Sequence, residues 1–296
     1  MVDWERLRER VAIDALRWAP KGAMTHGIGW AARRKVPRAL RARLYTAFAE
    51  RVGADLSEVA EPLDAYDSFD AFFTRALPEG ARPIEGGDDV VVSPCDGTLS
   101  EVGLCEGGRM IQAKGRDYTV RGLLADESEA RRFTGGSYAT IYLAPRNYHR
   151  VHSPTGGQII GYRHVPGSFF PVNQPSVRHV SGLFSINERL ITYVDGPVGK
   201  VAVVMVAALG VGHMTTSYDT VETHRRRWSE GTARVYADPK AVPKGGELGT
   251  FHLGSTVVLL FQPGRVTLSG LERGRPIRMG ETLGHRTAGR SGEVAA

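Results

Sequence analysis

From residue 90 onward the chain repeatedly returns to short runs of apolar and β-branched residues, a pattern that narrows the possible folds considerably. Gly, Pro and Asn separate the runs, which favours strands joined by tight turns. The runs occupy residues 90–92, 138–143, 158–165, 190–194, 201–208, 256–261 and 266–269. Their spacing predicts a Gly-rich, mainly antiparallel β-sheet or sandwich.

The first fifty residues differ in character, because they carry the whole formal net charge of the protein. Residues 1–50 contain eleven Lys/Arg and five Asp/Glu, a net charge of +6, and the complete sequence also has a net charge of +6. Apolar residues at three- and four-residue spacing in 4–18 predict an amphipathic helix that ends at Pro20 and Gly22. A similar mixture of apolar and basic residues predicts a second helical stretch at 28–49.

Together these patterns predict an α+β protein in which amino-terminal amphipathic helices precede a β-sheet domain. Residues 67–76 predict one further short helix before the strands begin. We place a basic helical segment at 1–65, the main domain at 66–286 and a flexible tail at 287–296.

Several classes of protein are disfavoured by composition. Cys95 and Cys105 are too few for a disulfide framework, and no Cys/His cluster predicts a metal site. The longest apolar stretch, 201–212, has about a dozen residues, whereas a membrane-spanning helix needs about 20. The amino terminus lacks the apolar core of a signal peptide. We therefore expect a protein that faces a reducing compartment, without a transmembrane anchor.

The basic helices have two interpretations. Cationic helices with Trp and Leu on one side commonly lie in the membrane interface, where anionic lipid attracts them. Alternatively, they form a helical cap whose Arg side chains are solvated. Nucleic-acid binding is less favoured, because no recognised nucleic-acid-binding module follows them.

Three polar blocks stand out from their apolar or Gly/Pro-rich surroundings. They are SPCDG (93–97), APRNYHRVHSP (144–154) and GTFHLGST (249–256). They supply Asp96, His149, His152 and Ser255, the residue types in which a carboxylate orients an imidazole and the imidazole deprotonates a hydroxyl. Taken alone, each residue is more often a turn or structural residue than a catalytic one. A conventional serine hydrolase is poorly supported, because the GxSxG motif is absent.

Taken together, the motifs resemble those of the phosphatidylserine decarboxylase family. The matching blocks are FFTRALPEGARPI (72–84), SPCDG (93–97), YLAPRNYHRVHSP (142–154), GSFFPVN (167–173), NERL (187–190) and KGGELGTFHLGST (244–256). The resemblance runs from about residue 15 to 284, and LGST is its most specific element. The LGST form with a basic amino-terminal extension is similar to the bacterial and mitochondrial branch. Cys95 stands where Ala is common, which affects no catalytic group.

The resemblance implies that the chain cuts itself between Gly254 and Ser255. In this family the serine hydroxyl attacks the preceding carbonyl, and β-elimination of the resulting ester leaves a group that hydrolyses to pyruvoyl. The products are a β chain, 1–254, and an α chain of 42 residues, 255–296, which carries the pyruvoyl at its start. Glycine before the serine leaves the carbonyl open to attack.

The resemblance also assigns roles. His152 is the base for Ser255, Asp96 orients His152, and His149 serves the later chemistry. In that chemistry the pyruvoyl ketone forms a Schiff base with phosphatidylserine, carbon dioxide leaves, and phosphatidylethanolamine is released. The cofactor is therefore the covalent pyruvate derived from Ser255, with no metal.

The expected partners follow from the same resemblance. A diacyl lipid stays in the bilayer, so we expect a peripheral protein at the cytoplasmic face of the cell membrane that contacts an anionic surface. Phe169, Phe170 and Pro171 either line the lipid entrance or pack in the core. The β and α chains form a heterodimer, and the family implies a further homodimer.

Two alternatives remain. One is a Ser-His-Asp hydrolase that keeps Ser255 as its nucleophile. The other is a non-enzymatic, β-rich lipid-binding domain in which the four polar residues are structural.

Overall fold

The structure, a computed structural model, describes residues 4–113, 116–210, 212–223, 231–252 and 255–287. Within these ranges the chain has the α+β fold that its sequence predicts. The helices are α1 Trp4–Trp18, α2 Lys21–Ala32, α3 Arg38–Val52, α4 Phe69–Phe73, α5 Val120–Leu124, α6 Glu127–Phe133, α7 Gln174–His179 and α8 Leu183–Ile186. The strands are β1 Val90–Val92, β2 Gly97–Leu104, β3 Arg109–Ala113, β4 Arg116–Thr119, β5 Ser137–Leu143, β6 Arg150–His152, β7 Gly157–Val165, β8 Arg189–Gly196, β9 Gly199–Val206, β10 Met214–Thr216, β11 Thr232–Val242, β12 Glu247–Phe251, β13 Ser255–Phe261, β14 Val266–Leu268, β15 Pro276–Ile277 and β16 Thr282–Arg286. Of the predicted tail at 287–296, residues 288–296 lie outside the described part.

An eight-stranded sheet forms the centre of the fold, in the order β11-β7-β8-β9-β13-β5-β2-β15. All its neighbouring strands are antiparallel, as predicted. β13 lies between β5 and β9, and all seven of its residues are buried. A strand buried on both faces requires a continuous apolar run, which residues 256–261 supply. The seven predicted strands are confirmed to within two residues at their ends.

A smaller sheet, β10-β12-β6, contributes to the candidate site. In it, β12 pairs with β6 so that Glu247 lies opposite His152. On its other side β12 pairs with β10, and Gly249 approaches that strand closely. A Cβ atom at Gly249 would lie 2.4 Å from the carbonyl oxygen of Thr215, so only glycine fits there.

The amino-terminal helices begin and end differently from the sequence prediction. α1 ends at Trp18 as expected, but α2 starts at Lys21, so Gly22 lies inside a helix and does not end one. The stretch predicted as helical at 28–49 contains parts of two helices. Its break falls just before Pro37, because proline restricts the residue before it and lacks the N–H of a helix interior.

The apolar stripe predicted for α1 faces away from the protein. Val11 is 61% exposed and Trp18 is 93% exposed, whereas Ile13 is buried in the core. The side chains of Trp4 and Leu7, at the start of the same stripe, lie outside the described part. α1 thus packs through a narrow side and presents large apolar groups to its surroundings.

The predicted short helix at 67–76 is confirmed as α4. Ser68 caps it by accepting a hydrogen bond of 3.1 Å from the backbone N–H of Ala71. An aromatic cluster joins α4 to α3 and consists of Tyr45, Phe48, Phe69, Phe72 and Phe73. In this aromatic cluster Tyr45 and Phe72 stack with ring centroids 4.6 Å apart. These contacts hold α3 against α4, which precedes the three polar blocks in the sequence.

Candidate active site

The three polar blocks of the sequence meet beside the ends of β5, β6 and β12. The backbone N–H of His152 donates to the carbonyl of Pro94 at 2.7 Å, which joins the first block to the second. The backbone N–H of Phe251 donates to the carbonyl of His149 at 2.9 Å, which joins the second to the third. The segment after β5 therefore lies beside the end of β12 and beside the loop before β2.

Ser255 is the first residue of the central strand β13. Its side chain is fully buried, and its Oγ has no hydrogen-bond partner within the described residues. Ser255 pairs with Leu143 of β5, so the two side chains lie on the same face of the sheet. Gly254, the other half of the expected cleavage site, lies outside the described residues.

His149 is a fully buried, neutral imidazole. Its Nδ1 donates to the backbone carbonyl of Asn147 at 2.7 Å, which leaves Nε2 unprotonated and without a partner among the described residues. Burial, opposed by that hydrogen bond and reinforced by Arg75, lowers the pKa of His149 to about 3. Phe73 lies against the ring, with centroids 4.1 Å apart. The Nε2 lone pair therefore stays unprotonated at neutral pH and is free to accept a hydrogen bond.

His152 is held in the same tautomer by different partners. Its Nδ1 donates to the carbonyl of Gly245 at 2.8 Å, and its Nε2 accepts from the hydroxyl of Tyr148 at 3.1 Å. Burial lowers the pKa of His152, while nearby carboxylates, including Asp96, oppose the shift. Sequence reasoning missed Tyr148, although it lies within the second polar block.

The Asp96 carboxylate is bound by Arg82 and does not hydrogen-bond to His152 in this structure. Arg82 donates to both of its oxygens, at 2.9 Å from Nε and 2.6 Å from Nη2. The backbone N–H of Met279 donates to it as well, at 2.9 Å. Gly97 allows this loop to approach β5, because a Cβ atom there would lie 2.6 Å from the carbonyl oxygen of Tyr142. The carbonyl of Gly245 accepts the Nδ1–H of His152 and so fixes its tautomer here.

Another carboxylate and imidazole pair precedes the expected cleavage site. Both carboxylate oxygens of Asp70, on α4, lie 2.9 Å from Nδ1 of His252. The ring of His252 lies against His213, with centroids 4.1 Å apart. Burial, and then His252, lowers the pKa of His213 to about 4. Sequence reasoning missed Asp70, because only the fold brings it to the third block.

An apolar cavity of about 370 Å³ lies beside these groups. Leu143, which pairs with Ser255, lines it, and so does Phe73, which contacts His149. Ile28 of α2 and Phe48 of α3 line it from the side of the amino-terminal helices. The apolar cavity therefore extends from the face that carries Ser255 to the helices with exposed apolar side chains.

The three residues predicted for the lipid entrance have different surroundings. Pro171 lines the apolar cavity. Phe169 and Phe170 are buried members of the hydrophobic core, and the Phe170 ring also lies 4.3 Å from the Lys21 ammonium. A role in binding the substrate stays a prediction for all three.

Two features are absent from the described residues. None of the described helices combines the length and apolar character needed to cross a bilayer. The same residues contain no group of three or more His, Cys, Asp or Glu side chains arranged to hold a metal ion.

Comparison with known proteins gives a consistent result. The family model for phosphatidylserine decarboxylase matches residues 69–285. A protein from Anaeromyxobacter sp. (strain K), named phosphatidylserine decarboxylase proenzyme, is 47% identical over 94% of this chain and 99% of its own length. Proteins of the same name from Myxococcus xanthus and Acidovorax ebreus are 43% and 41% identical, over 94% and 95% of this chain and 99% of their own lengths.

Proposed function

Because the chain belongs to the phosphatidylserine decarboxylase family, and so to the carboxy-lyases, we propose that it is a proenzyme that cuts itself between Gly254 and Ser255. The mature protein then converts phosphatidylserine to phosphatidylethanolamine and carbon dioxide with the pyruvoyl group derived from Ser255. The relatives named above are proenzymes of the same kind.

The environment of Ser255 is the observation that best supports this proposal. A buried hydroxyl without a partner costs about 1–3 kcal/mol, and a role in catalysis is one reason for a protein to keep such a group. The Ser255 Oγ has no hydrogen-bond partner among the described residues. Ser255 is also the first residue of β13, directly after the proposed cut. Its face of the sheet borders an apolar cavity suited to a lipid.

The proposed cut requires a base and proceeds in balanced steps. The Ser255 oxygen loses its proton to the base and bonds to the carbonyl carbon of Gly254, and the peptide nitrogen becomes a free amine in the resulting ester. Loss of the Cα proton then breaks the bond between Cβ and oxygen, which leaves a carboxylate on Gly254 and dehydroalanine at 255. Water converts the dehydroalanine to pyruvoyl and releases ammonia.

His152 is the proposed base for the first step. Its neutral form, with the proton on Nδ1 and the lone pair on Nε2, is the form that accepts a proton. Asp96 supports the step electrostatically, because its negative charge favours the imidazolium that forms. Its role as the residue that orients His152 stays a prediction.

His149 is the proposed proton carrier in decarboxylation. The pyruvoyl group would supply a ketone that binds the substrate amine and withdraws the electrons released with carbon dioxide. The amine arrives as an ammonium ion. The carboxylate of the bound substrate would favour the imidazolium and so raise the pKa of His149, which would let its free Nε2 take one of the ammonium protons. That proton is the one that the substrate α-carbon later needs. The Phe73 ring keeps the imidazole in place.

The proposed location is a membrane surface, on its cytoplasmic side. α1, α2 and α3 expose large apolar side chains, namely Val11, Trp18, Met24, Ile28, Trp30, Leu40 and Leu44. Residues 1–50 also carry a net charge of +6, which attracts anionic lipid. Ile28 belongs to this surface and also lines the apolar cavity, so docking would place the cavity next to the bilayer. Assembly of the cut protein into a further homodimer stays a prediction.

Mass analysis and a carbonyl reagent test the function. A 42-residue fragment that begins with pyruvoyl is lighter than one that begins with serine by one ammonia, and hydroxylamine should inactivate the enzyme by capping the ketone. Borohydride with phosphatidylserine present should attach the lipid amine to that fragment. An intact chain whose Ser255 reacts with a fluorophosphonate would instead favour the hydrolase. An intact chain without such reactivity would favour the lipid-binding domain.

A further inference from the structure

A second cavity, of about 220 Å³, lies on the other side of the loop that carries His149. Pro145 of that loop lines the apolar cavity, whereas Asn147 and Tyr148 line the second one. Charged side chains also line the second cavity, among them Arg75, Arg82 and Asp96. We call it the polar cavity. The polar cavity borders the loop that carries His149 and is separate from the apolar cavity.

Arg75 is a buried cation that has no carboxylate partner among the described residues. Its residue is 5% exposed, and no ion pair to it occurs within the described ranges. Its Nε has no hydrogen-bond partner there, and its Nη1 reaches only the carbonyl of Phe72, at 3.5 Å. Burial lowers the pKa of Arg75. The Phe72 ring compensates part of this charge, with the guanidinium carbon 5.1 Å from the ring centroid, and an anionic ligand would provide the rest.

The neighbouring carboxylates do not supply that compensation directly, because Arg82 engages them. Arg82 donates two hydrogen bonds to Asp96 and two to Glu58, at 2.6–2.9 Å. This leaves Arg75 as the buried guanidinium of the polar cavity that has no carboxylate partner among the described residues, whereas Arg146 and Arg278, which also line the cavity, are exposed. A guanidinium presents its N–H groups as a planar fork that fits a carboxylate or a phosphate.

We propose that the polar cavity binds a phosphate oxyanion through Arg75, and that in the mature enzyme this is the phosphodiester of the lipid headgroup. The inference rests on the proposed function. Phe73, two residues before Arg75, contacts His149, and Asn147, which accepts from His149, lines the polar cavity. The phosphate would therefore bind close to the group that handles the substrate proton.

Phosphatidylserine has two anionic groups, a carboxylate and a phosphodiester, and the reaction shows which of them an arginine should bind. The carboxylate loses its charge as carbon dioxide leaves, so an arginine bound to it would stabilise the ground state and slow the reaction. The phosphodiester keeps its charge from substrate to product. An arginine bound to the phosphodiester stabilises substrate and transition state equally, which lowers KM and leaves kcat unchanged.

Kinetics of the self-cleaved enzyme test this assignment. With phosphatidylserine in mixed micelles, Arg75→Gln should raise KM by about 10- to 100-fold, the loss expected for a hydrogen bond to a charged group, with little change in kcat. Arg75→Lys keeps the positive charge but loses the planar fork of N–H groups, so its KM should lie between those of the wild type and Arg75→Gln. Arg109→Gln removes the same charge from an exposed site and should leave KM unchanged. A kcat that falls while KM stays constant would overturn the assignment.

Phosphate binding to the wild-type protein tests the proposed site even if the Arg75 variants do not fold. Phosphorus NMR at constant ionic strength should show binding of inorganic phosphate and of glycerophosphoethanolamine, even to an uncut chain. Competition of inorganic phosphate with the lipid in the activity assay would identify the headgroup as the natural source. Binding without competition would identify free phosphate and overturn the headgroup assignment. Absence of binding by either probe would overturn the site, whereas absence of the ketone would overturn only the proposed function.

Discussion

At the scale of single residues, the two histidines of the site have the same tautomer but different surroundings. His149 keeps an Nε2 without a described partner, whereas Nε2 of His152 accepts from Tyr148. This difference fits two separate tasks, one in the cut and one in the decarboxylation. The sequence places both histidines in one block, but only their contacts distinguish them.

Alanine at each histidine should therefore give different products. His152→Ala should block or greatly slow the cut, since the proposed base is lost, and should leave one full-length chain. His149→Ala should still cut yet turn over at least 100-fold more slowly, the low end of what a general acid or base contributes. A denaturing gel and an assay of the cut material measure the two effects. Ser255→Ala serves as the uncut control, and normal turnover by cut His149→Ala would remove His149 from the mechanism.

The burial of His149 should also make stability depend on pH. The pKa of His149 is about 3 in the folded chain and about 6.5 in an unfolded one. Between these values the unfolded state binds a proton that the folded state does not. The free energy of unfolding should therefore fall as pH drops from 6.5 towards 3, by up to about 1.4 kcal/mol per pH unit.

Urea unfolding of uncut Ser255→Ala across this pH range measures the dependence. Adding His149→Gln should reduce the slope of unfolding free energy against pH by the contribution of one proton, about 1.4 kcal/mol per pH unit. His285→Gln, a change at an exposed histidine, is the matched control and should leave the slope as it was. Equal slopes for all three proteins would contradict the assignment of the proton to His149.

At the scale of elements, α4 contacts both sides of the candidate site. Its last residue, Phe73, lies against His149, and Asp70 in its first turn binds His252. The aromatic cluster fixes α4 in turn to α3. A single helical turn thus connects the loop that carries His149, the end of β12 before the proposed cut and the amino-terminal helices.

Asp70→Asn should slow the cut by about tenfold, the effect expected when a charge-assisted hydrogen bond is lost. The reason is that Asp70 holds the segment that ends at the scissile bond. Asp70→Glu, which keeps the charge, should recover part of the rate, and a time course on denaturing gels measures both. Asp117→Asn, at a more exposed carboxylate, is the control. A time course for Asp70→Asn equal to that of the wild type would contradict the role of this contact.

The exposed stripe of α1 should contribute to membrane binding. Trp18→Ser together with Val11→Ser should weaken binding to anionic vesicles by at least tenfold, because both side chains would lose apolar burial in the interface. Sedimentation with vesicles measures the change, and added salt should weaken the wild-type interaction as well. Val235→Ser removes a side chain that is 86% exposed on β11 and is the control. Unchanged binding of the double variant would favour a solvated helical cap.

At the scale of the whole molecule, the sequence predicts the buried centre of the fold better than its edges. β13 and its neighbours are apolar and β-branched, so they are evident from composition. β11 escaped prediction because most of its residues are exposed and it contains Pro239, which argues against a strand. The order of the strands, the contact of Arg82 with Asp96 and that of Asp70 with His252 depend on pairings between distant residues, which local patterns do not encode.

Refolding should distinguish cut from uncut protein. After dilution from urea, uncut Ser255→Ala should regain its fold, since its strands are linked in one chain. The cut enzyme should recover far less, because β13 has to be inserted between β5 and β9 from a separate 42-residue piece. Circular dichroism measures recovery, and the two pieces should separate only in denaturant. Equal recovery of both proteins would show that the break before β13 does not hinder folding.

The central position of β13 makes the proposed cut depend on prior folding of the chain. The groups proposed to make the cut come together only after β13 has entered the sheet, since Ser255 takes its place by pairing with Leu143. If the proposed cut takes place, a chain that has not folded keeps its peptide bond, and one that has folded loses it irreversibly. The break in the backbone would then act as a permanent record that the chain once reached its native topology, and it would persist even if the molecule later unfolded.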